Sequence, residues 1–317
     1  MNAIGGYFEL ELRDYGTVYH DMGAALNSGR NALEYILRSG PRYDNVYLPY
    51  YTCDVMLQTL KRLKYSVRFY SLDSQLLPQV ERIGSNDVLL YVNYFGVVNS
   101  NVRLVYHKYR NVIIDNAQAF FIKPMKNVPT LYSPRKFFGL PDGGFAYPKG
   151  VIEARLDRDK SIGRFEHLLK RTEDSPEAGY ETFKKNDAKL KRVPMRRMSS
   201  ITERLLRNID FNESIRRRND NFQSLHRHLR KQNELSPLIE SNALRGPMAY
   251  PYLKKGNNKR RVQLHSRKIY VATYWPNVYK WSRKGSREHY MADNLLPLPV
   301  DQRYSLAEME TMLEVLS

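Results

Sequence analysis

Short apolar runs alternate with stretches of helical periodicity along the first half of the chain, a pattern typical of a sheet enclosed by helices. The predicted strands cover residues 45–48, 66–70, 87–93, 111–114 and 145–147. The predicted helices cover residues 30–39, 52–63 and 102–109. Strands that alternate with helices form βαβ units, so the sequence predicts an α/β fold with a mostly parallel sheet between helices.

The pattern changes after this first half. Residues 153–191 are highly charged, with a helical but poorly defined pattern, and we interpret them as a connector. A basic amphipathic helix is predicted from about Arg204, on the helical spacing of apolar residues that include Ile215, Phe222, Leu225 and Leu229. A strand at 268–274 and a closing helix at 306–316 follow.

These elements predict two domains. The large domain would comprise residues 1–203 and the small C-terminal α/β domain residues 204–317. A chain of 317 residues, 42% of them hydrophobic, can fill a core of that size.

Bulk features exclude several classes of protein. Neither a run of about 18 apolar residues nor a signal-peptide pattern occurs, so no membrane span is expected and the cytoplasm is the default location. A single cysteine, Cys53, cannot form an internal disulfide. The seven histidines show no spacing typical of metal ligands, so no metal is predicted.

The formal charge of +18 favours anionic partners such as phosphorylated metabolites, anionic lipid or nucleic acid. Many of the basic residues lie between 184 and 231, where apolar positions at helical spacing interrupt them, as on the solvated face of a helix. No zinc finger or RNA-recognition signature occurs, so a nucleic-acid-binding protein is the least favoured alternative.

Ser28 and Gly29 open the first predicted helix. Backbone N–H groups at such a helix start, with the helix dipole behind them, can bind a phosphate. The same two residues would serve equally as an ordinary helix cap, and both interpretations stay open at this point.

Asp115 ends a buried-looking strand within the segment 112–118. Ligands of open α/β sheets bind at the carboxyl ends of the strands, so a carboxylate is well placed for function there. Facing a pyridine nitrogen, it would keep that nitrogen protonated and strengthen pyridoxal phosphate (PLP) as an electron sink. The alternative is a helix-capping aspartate.

Lys136 lies in a turn rich in aromatic residues, glycine and proline. A desolvated ammonium next to Arg135 should have a lowered pKa, which would make Lys136 a candidate amine nucleophile. A merely solvated lysine is the alternative. The segment 49–53 has a similar ambiguity, because Tyr50 and Tyr51 could present an aromatic face to a ring or simply fill the core.

The order and distances of these segments resemble the DegT-type sugar aminotransferases, which are PLP-dependent transferases of fold type I. The matching segments are Ser28-Gly29, Pro49-Tyr50-Tyr51-Thr52, Val92-Asn93-Tyr94-Phe95-Gly96, Asp115-Asn116-Ala117-Gln118 and Lys136 ahead of Asp142-Gly143-Gly144. Leu296-Pro297-Leu298-Pro299 and the closing helix resemble that family's last strand and helix, so the resemblance covers most of the chain.

The resemblance implies a role for each matching residue. Lys136 would carry PLP as a Schiff base and then move a proton between substrate and cofactor. Asp115 would pair with the ring nitrogen, and Gln118 would lie near the ring hydroxyl. The phosphate would be held by Ser28, Gly29, the backbone of Arg30 and Asn31, and Ser133. The resemblance further implies a homodimer, in which Arg197 would reach the cofactor phosphate of the other subunit.

The chain also departs from the family pattern. Arg30-Asn31 stands where the family has Thr-Ala, and Cys53 stands where an aromatic residue stacks on the ring. Leu131 occupies the usual position of a phosphate-binding serine, and Arg197 replaces an asparagine contributed by the partner subunit. A lysine at 136, rather than the histidine of related dehydratases, favours transamination.

We therefore predict a PLP-dependent aminotransferase that acts on a keto sugar, nucleotide-linked, with an amino acid such as glutamate as donor. Its setting would be surface-polysaccharide or amino-sugar biosynthesis. One alternative keeps PLP but changes the acceptor. Another is a non-catalytic protein of the same fold that binds a ligand or a partner.

Overall fold

The structure is a computed structural model that describes residue 4 and residues 6–150 and 155–317. Two sheets are present in these residues. The strands of the first are β1 (Ala24–Leu26), β2 (Asn45–Pro49), β3 (Ser66–Tyr70), β4 (Val88–Val92), β5 (Val112–Asp115), β6 (Thr130–Tyr132) and β7 (Gly144–Tyr147). The second, smaller sheet consists of β8 (Ala249–Leu253) and β9 (Leu295–Pro299).

Helices surround both sheets. They are α1 (Gly29–Ser39), α2 (Asp54–Arg62), α3 (Asn99–Tyr109), α4 (Glu166–Glu173), α5 (Pro176–Leu190), α6 (Ser200–Arg207), α7 (Phe211–Leu229), α8 (Ser236–Glu240), α9 (Asn257–Ser266), α10 (Val278–Trp281), α11 (Arg287–Asn294) and α12 (Leu306–Leu316).

The large sheet has the strand order β1-β7-β6-β5-β4-β2-β3. Neighbouring strands from β6 to β3 pair in parallel, whereas β7 pairs antiparallel with both β6 and β1. The carboxyl ends of all its strands except β7 therefore lie at one edge. Every residue of β4 and β5 is buried, as expected of central strands covered by helices on both faces. The predicted α/β fold with a mostly parallel sheet is confirmed.

The predicted elements of the first half match the observed ones to within a few residues, and the closing helix at 306–316 matches its prediction. Residues 155–191 of the predicted connector contain the helices α4 and α5, which pack against each other, while residues 153 and 154 lie outside the described residues. The amphipathic helix predicted from Arg204 is two helices, because Asp210 starts α7 by accepting a hydrogen bond from the Glu213 N–H.

The predicted strand at 268–274 is wrong, because these residues form no strand and the small sheet pairs β8 with β9 instead. Its last strand, β9, spans the Leu-Pro-Leu-Pro segment, as the resemblance implied. The boundary between a large domain at 1–203 and a small one at 204–317 stays a prediction, and the first residues of the former lie outside the described residues.

His20 is fully buried beside the edge of the large sheet. Its Nε2 lies 2.7 Å from the Phe120 carbonyl oxygen, which can only accept, so Nε2 carries the proton. Nδ1 then accepts a hydrogen bond from the Tyr147 hydroxyl at 3.1 Å. Burial lowers the pKa of His20 to about 3, and the bond to Phe120 opposes that shift.

This buried neutral histidine predicts a loss of stability in acid. Below about pH 6.5 the unfolded chain binds a proton at His20 that the native protein does not bind, so the free energy of unfolding should fall by about 1.4 kcal/mol per pH unit towards pH 3. Chemical denaturation across this range measures the slope. The variant His20→Phe should reduce it by about one proton, and an unchanged slope would contradict the assignment.

Candidate active site

Polar side chains gather where the parallel strands of the large sheet end. Ser28 follows β1, Asp115 ends β5, and Ser133 and Lys136 follow β6. Because these strands run in the same direction, their carboxyl ends bring the four residues to one edge, which is the usual place for ligands in open α/β sheets. The sequence predicted each of these residues as part of one site.

The start of α1 forms a small cradle. Ser28 caps the helix, and its Oγ accepts a hydrogen bond from the Asn31 N–H at 3.2 Å. A Cβ added to Gly29 would lie 3.4 Å from the Cβ of Ser133, so the two segments are in contact. A Cβ on Gly144 would lie 2.4 Å from the Ser28 carbonyl, so β7 can approach the helix start because residue 144 is glycine.

The predicted phosphate donors are partly engaged within the chain. The Asn31 N–H is used by the cap. The Asn31 side-chain amide donates to Asn27 Oδ1 at 2.6 Å and to the Pro194 carbonyl oxygen at 3.1 Å. The N–H groups of Gly29 and Arg30 belong to the first turn, where no intrahelical acceptor exists. The structure therefore shows the helix cap, and the N–H groups of Gly29 and Arg30 are the ones that a phosphate would use.

Asp115 is buried, and its Oδ1 accepts a hydrogen bond from the Ala117 N–H at 2.8 Å. Burial raises the pKa of its carboxyl, whereas the Lys136 ammonium and the Ala117 amide oppose that rise. Asp115 thus lies within electrostatic reach of Lys136. No α-helix begins directly after Asp115 in the described chain, so the alternative of a helix-capping aspartate is wrong and the bond to Ala117 closes an Asx turn.

Gln118 is also buried and is only half satisfied. Its Oε1 accepts a hydrogen bond from the Phe95 N–H at 2.9 Å, which orients the amide. Its Nε2 has no hydrogen-bond partner among the described residues. A buried N–H donor without an acceptor is costly, so the amide suits a ligand oxygen at this position.

Lys136 ends a short 3-10 turn, Pro134–Lys136, and its side chain is exposed. The expectation of a desolvated lysine is therefore wrong for this structure, because the turn carries the side chain to the mouth of a cleft rather than into the core. Lys136 nevertheless acts electrostatically on both Asp115 and Cys53, since its charge opposes the rise in pKa that burial causes at each of them.

The carbonyl that follows Lys136 is held by the C-terminal half of the chain. Arg218 on α7 donates to the Phe137 oxygen at 3.1 Å, and Gln302 donates to the same oxygen at 2.9 Å. Arg218 itself is 1% exposed and bonds to Gln302. The sequence analysis missed this pair, since Arg218 looked like one more arginine on a basic helix face. The sequence feature that could have revealed Arg218 is its spacing of four residues from Phe222, which puts it on the apolar face of the helix.

The two aromatic residues after β2 pack against other aromatic side chains. Tyr50 stacks on Phe69 with ring centroids 4.9 Å apart, and Tyr51 is fully buried against Trp275. Tyr51 therefore fills the core, whereas Tyr50 is only half-buried in its stack with Phe69. Cys53 lies near the site, where burial raises the pKa of its thiol and Lys136 opposes the rise.

Arg197 is exposed, and its backbone bridges Leu26 and Arg158. Its segment therefore runs beside the residues that lead into α1. The single chain described here does not test a contact with a partner subunit, so the role of Arg197 at a partner's site stays a prediction.

A cleft of about 620 Å³ opens beside the lysine turn. Its walls come from that turn, from α4 and α5, from α6 and α7, and from residues 301–303. The charged and ionisable side chains that line it are Arg135, Lys136, His167, Arg171, Arg218, Asp301 and Arg303. Basic groups outnumber the acidic one, and Phe137, Phe138 and Phe183 add an aromatic surface.

Other kinds of site find no support in the described residues. No group of three or more His, Cys, Asp or Glu side chains is placed to hold a metal ion there. No helix of that part of the chain is both long and apolar enough to span a bilayer.

Comparison with known proteins gives likeness in structure only. No family model matches the sequence, and no curated protein matches it. Among solved structures, the PLP form of Spr1654 from Streptococcus pneumoniae is 15% identical with a TM-score of 0.60, over 92% of this chain and 85% of that one.

Two further structures match over similar lengths. A DegT DnrJ EryC1 StrS aminotransferase from Brucella abortus is 15% identical with a TM-score of 0.57, over 93% of this chain and 84% of that one. PseC of Helicobacter pylori, an aminotransferase involved in the biosynthesis of pseudoaminic acid, is 12% identical with a TM-score of 0.59, over 93% and 85%. The chain thus has the fold of these proteins, and the fold implied by the DegT-type resemblance is confirmed.

Proposed function

We propose that the protein is a PLP-dependent aminotransferase that transfers an amino group from an amino acid to a keto sugar carried on a nucleotide. The setting would be surface-polysaccharide or amino-sugar biosynthesis in the cytoplasm. The observation that carries the proposal is the convergence of Asp115, Gln118 and Lys136 with the cradle of Ser28, Gly29 and Ser133 at one edge of the sheet.

The residues at this edge fit PLP. The unpartnered Nε2 of Gln118 suits the ring oxygen, and the buried carboxylate of Asp115 suits a protonated pyridine nitrogen. The first N–H groups of α1 and the hydroxyl of Ser133 suit the phosphate. When bound, PLP supplies the electron sink that makes a substrate C–H bond acidic. The structures with this fold support the cofactor, since one of them is a PLP form.

This chain's own residues would do three things. Lys136 would hold the cofactor and then move a proton at the substrate carbon, for which its exposed amine at the cleft mouth has the needed freedom. Asp115 would keep its negative charge facing the ring nitrogen. Arg218 and Gln302 would fix the Phe137 carbonyl and so position the lysine turn.

The cleft beside Lys136 would receive the sugar substrate. Arg171 is exposed in it and carries a positive charge, which suits a diphosphate. Aromatic walls suit the face of a nucleobase or a sugar ring. These features support a nucleotide-linked acceptor over a neutral one.

Purification and assay test the proposal. Protein incubated with PLP and then desalted should keep a visible absorption band, and it should form 2-oxoglutarate from glutamate when a nucleotide-linked keto sugar is present. A protein that keeps no PLP would refute the enzymatic proposal. If the protein keeps PLP but transfers no amino group to a keto sugar, PLP remains the assigned cofactor and the keto sugar is refuted as the acceptor.

A non-catalytic protein of this fold that binds a ligand or partner is the second candidate. The observations that favour it are the exposure of Lys136, the replacement of a stacking aromatic by Cys53, and Leu131 at the position of a phosphate-binding serine. Retention of a nucleotide-sugar without uptake of PLP would support this candidate.

The proposal includes a homodimer with each site completed by the other subunit. The N-terminal segment exposes large apolar side chains, including Tyr7 at 98% and Phe8 at 93%, and such a surface is typical of an interface. Sedimentation should therefore give twice the mass of one chain. The variant Arg197→Ala should keep this mass but bind PLP more weakly, whereas Arg227→Ala, at an exposed arginine of α7, should leave PLP affinity unchanged. A monomer with full activity would contradict the prediction.

The basic surface predicts a dependence on salt. Attraction between exposed charges is screened beyond about 10 Å at 0.1 M salt, so KM for an anionic substrate should rise with ionic strength. Retention of PLP should change much less, because its phosphate would be enclosed at the helix start. Kinetics and cofactor content across one salt series measure both. A flat KM in an active enzyme would remove the electrostatic support for a nucleotide-linked substrate.

A further inference from the structure

Two arginines next to the cradle share a single carboxylate. Arg30, the second residue of α1, lies 3.6 Å from Asp187 on α5, and Arg135, just before Lys136, lies 3.5 Å from the same side chain. Both arginine side chains are mostly buried, with 11% and 15% of their surface exposed, whereas the aspartate is 38% exposed. Two guanidinium groups are therefore held close together at one carboxylate.

These contacts are loose for ion pairs of arginine. Elsewhere in the protein, Arg62 meets Glu34 at 2.6 Å and Arg158 meets Glu203 at 2.7 Å. A guanidinium offers five N–H donors and binds best when two of them meet one anion at about 2.8 Å. The contacts to Asp187 are longer than this.

The donors of the two arginines are also incompletely used. The Nε atoms of Arg30 and Arg135 are both buried and have no hydrogen-bond partner in the described part of the chain. Leaving a charged donor buried and unpaired is unfavourable, so a native structure that keeps two such donors side by side is arranged for a further acceptor.

The arginine pair also carries an excess of positive charge. Arg30 and Arg135 share Asp187, so two guanidinium charges face one carboxylate. Asp142 also acts on Arg135, but it is buried and accepts hydrogen bonds from the backbone and hydroxyl of Ser199. An anion of charge −2 would balance the group better than Asp187 does.

The position of the pair points to the kind of anion. Arg30 directly follows Gly29, and Arg135 comes two residues after Ser133, whose side chain touches Gly29. Both arginines therefore project from backbone that borders a helix start whose N–H groups suit a phosphate. A phosphate has enough oxygens to accept from both guanidinium groups at once.

We propose that Arg30 and Arg135 form a clamp for a phosphate dianion, and that Asp187 is a counter-ion which the phosphate displaces. The clamp replaces the serine that is absent at Leu131. The phosphate has two possible sources, the cofactor or the diphosphate of a nucleotide-linked substrate. The cofactor source rests on the proposed function, whereas binding of a phosphate by the clamp does not.

Binding measurements separate these sources. Affinities for PLP, pyridoxal and uridine diphosphate are measured for the wild type and for Arg30→Gln and Arg135→Gln, by fluorescence or calorimetry without turnover. Each variant should lose about tenfold to a hundredfold in affinity for the ligand that supplies the phosphate, the effect of a charge-assisted hydrogen bond. A loss for PLP but not for pyridoxal identifies the cofactor phosphate, and a loss confined to uridine diphosphate identifies the substrate.

The aspartate gives a test of opposite sign. Asp187→Asn removes the competing charge, so phosphate binding should become several-fold tighter. If Asp187 only held the arginines in place, the variant would instead bind more weakly, like the arginine variants, and the counter-ion part of the proposal would fall.

Two controls guard against unfolding and bulk charge. Arg38→Gln removes the same charge from the same helix, at a side chain that pairs with Glu34, and it should leave all three affinities unchanged. Arg135→Lys keeps the charge but loses the planar fork, so it should give an intermediate loss if the protein folds as the wild type does. Melting temperatures without ligand confirm folding.

The remaining outcomes are equally decisive. If the arginine variants weaken no ligand more than Arg38→Gln does, the clamp is overturned, and the same holds if the wild type binds none of the three probes. If the wild type takes up no PLP but binds uridine diphosphate through both arginines, the clamp stands and the proposed aminotransferase function fails.

Discussion

The variant Lys136→Ala should lose stable attachment of PLP and lower amino transfer by about 10²- to 10⁴-fold or more, the range typical of removing a general acid–base. The reason is that Lys136 combines an exposed amine at the cleft mouth with closeness to the Asp115 carboxylate. Borohydride reduction of the wild type with PLP, followed by peptide mapping, should label the peptide that contains Lys136.

Two lysine variants complete this test. Lys126→Ala changes an exposed lysine between Asp115 and Lys136 in the sequence, and it should behave as the wild type. Lys136→Arg keeps a positive charge but lacks a nucleophilic amine, so it should fail as Lys136→Ala does. A borohydride label on a different lysine would overturn the assignment.

The variant Asp115→Asn should still bind PLP but turn over about 10²- to 10³-fold more slowly, a loss typical of one preorganised electrostatic contact. Asparagine retains an oxygen for the Ala117 N–H, so the turn should persist while the negative charge disappears. Steady-state kinetics measure the turnover, and an absorption titration with PLP measures the binding of the cofactor.

The matched control is Asp54→Asn, which changes a carboxylate at the start of α2 that pairs with Gln58. It should alter neither PLP binding nor turnover. Near-normal turnover in Asp115→Asn would refute the electrostatic role, and loss of PLP binding in that variant would mean that the carboxylate is needed to assemble the site.

The periodicity of apolar residues correctly located the elements that have one buried face and are long enough for the period to repeat. The strand at 66–70 and the closing helix at 306–316 were predicted with their observed bounds, because their apolar residues recur at the spacing of the element. By contrast, β1 and β6 have three residues each, too few for any period. They are held by pairing with β7, which a local pattern does not encode.

Errors in the last third have a different cause. β8 contains Pro251, and proline within a run argues against a strand unless tertiary pairing tolerates it. Residues 268–274 have the β-branched and aromatic composition of a strand but no neighbouring strand to pair with, so composition alone misled the prediction.

The candidate site was predictable where strand ends determine it. Asp115 ends β5 and Lys136 follows the neighbouring parallel strand β6, so the topology alone brings them to one edge. The exposure of Lys136 and the pairing of Arg135 with Asp187 were not predictable, because both depend on how α4 and α5 fold back beside the lysine turn. Such long-range packing leaves no mark in a local sequence pattern.

The N-terminal part of the chain depends on the C-terminal part, because Arg218 and Gln302 donate to the Phe137 carbonyl. A fragment that ends at residue 203 would keep Lys136 and Asp115, yet it would lack both Arg218 and Gln302. The lysine turn would lose the two hydrogen bonds that fix it, and the Phe137 oxygen would accept hydrogen bonds from water instead. The C-terminal half is therefore not a module that could be exchanged for a foreign domain to alter substrate choice alone. A graft would have to supply an arginine and an amide at those two places before the N-terminal half could hold its lysine in position.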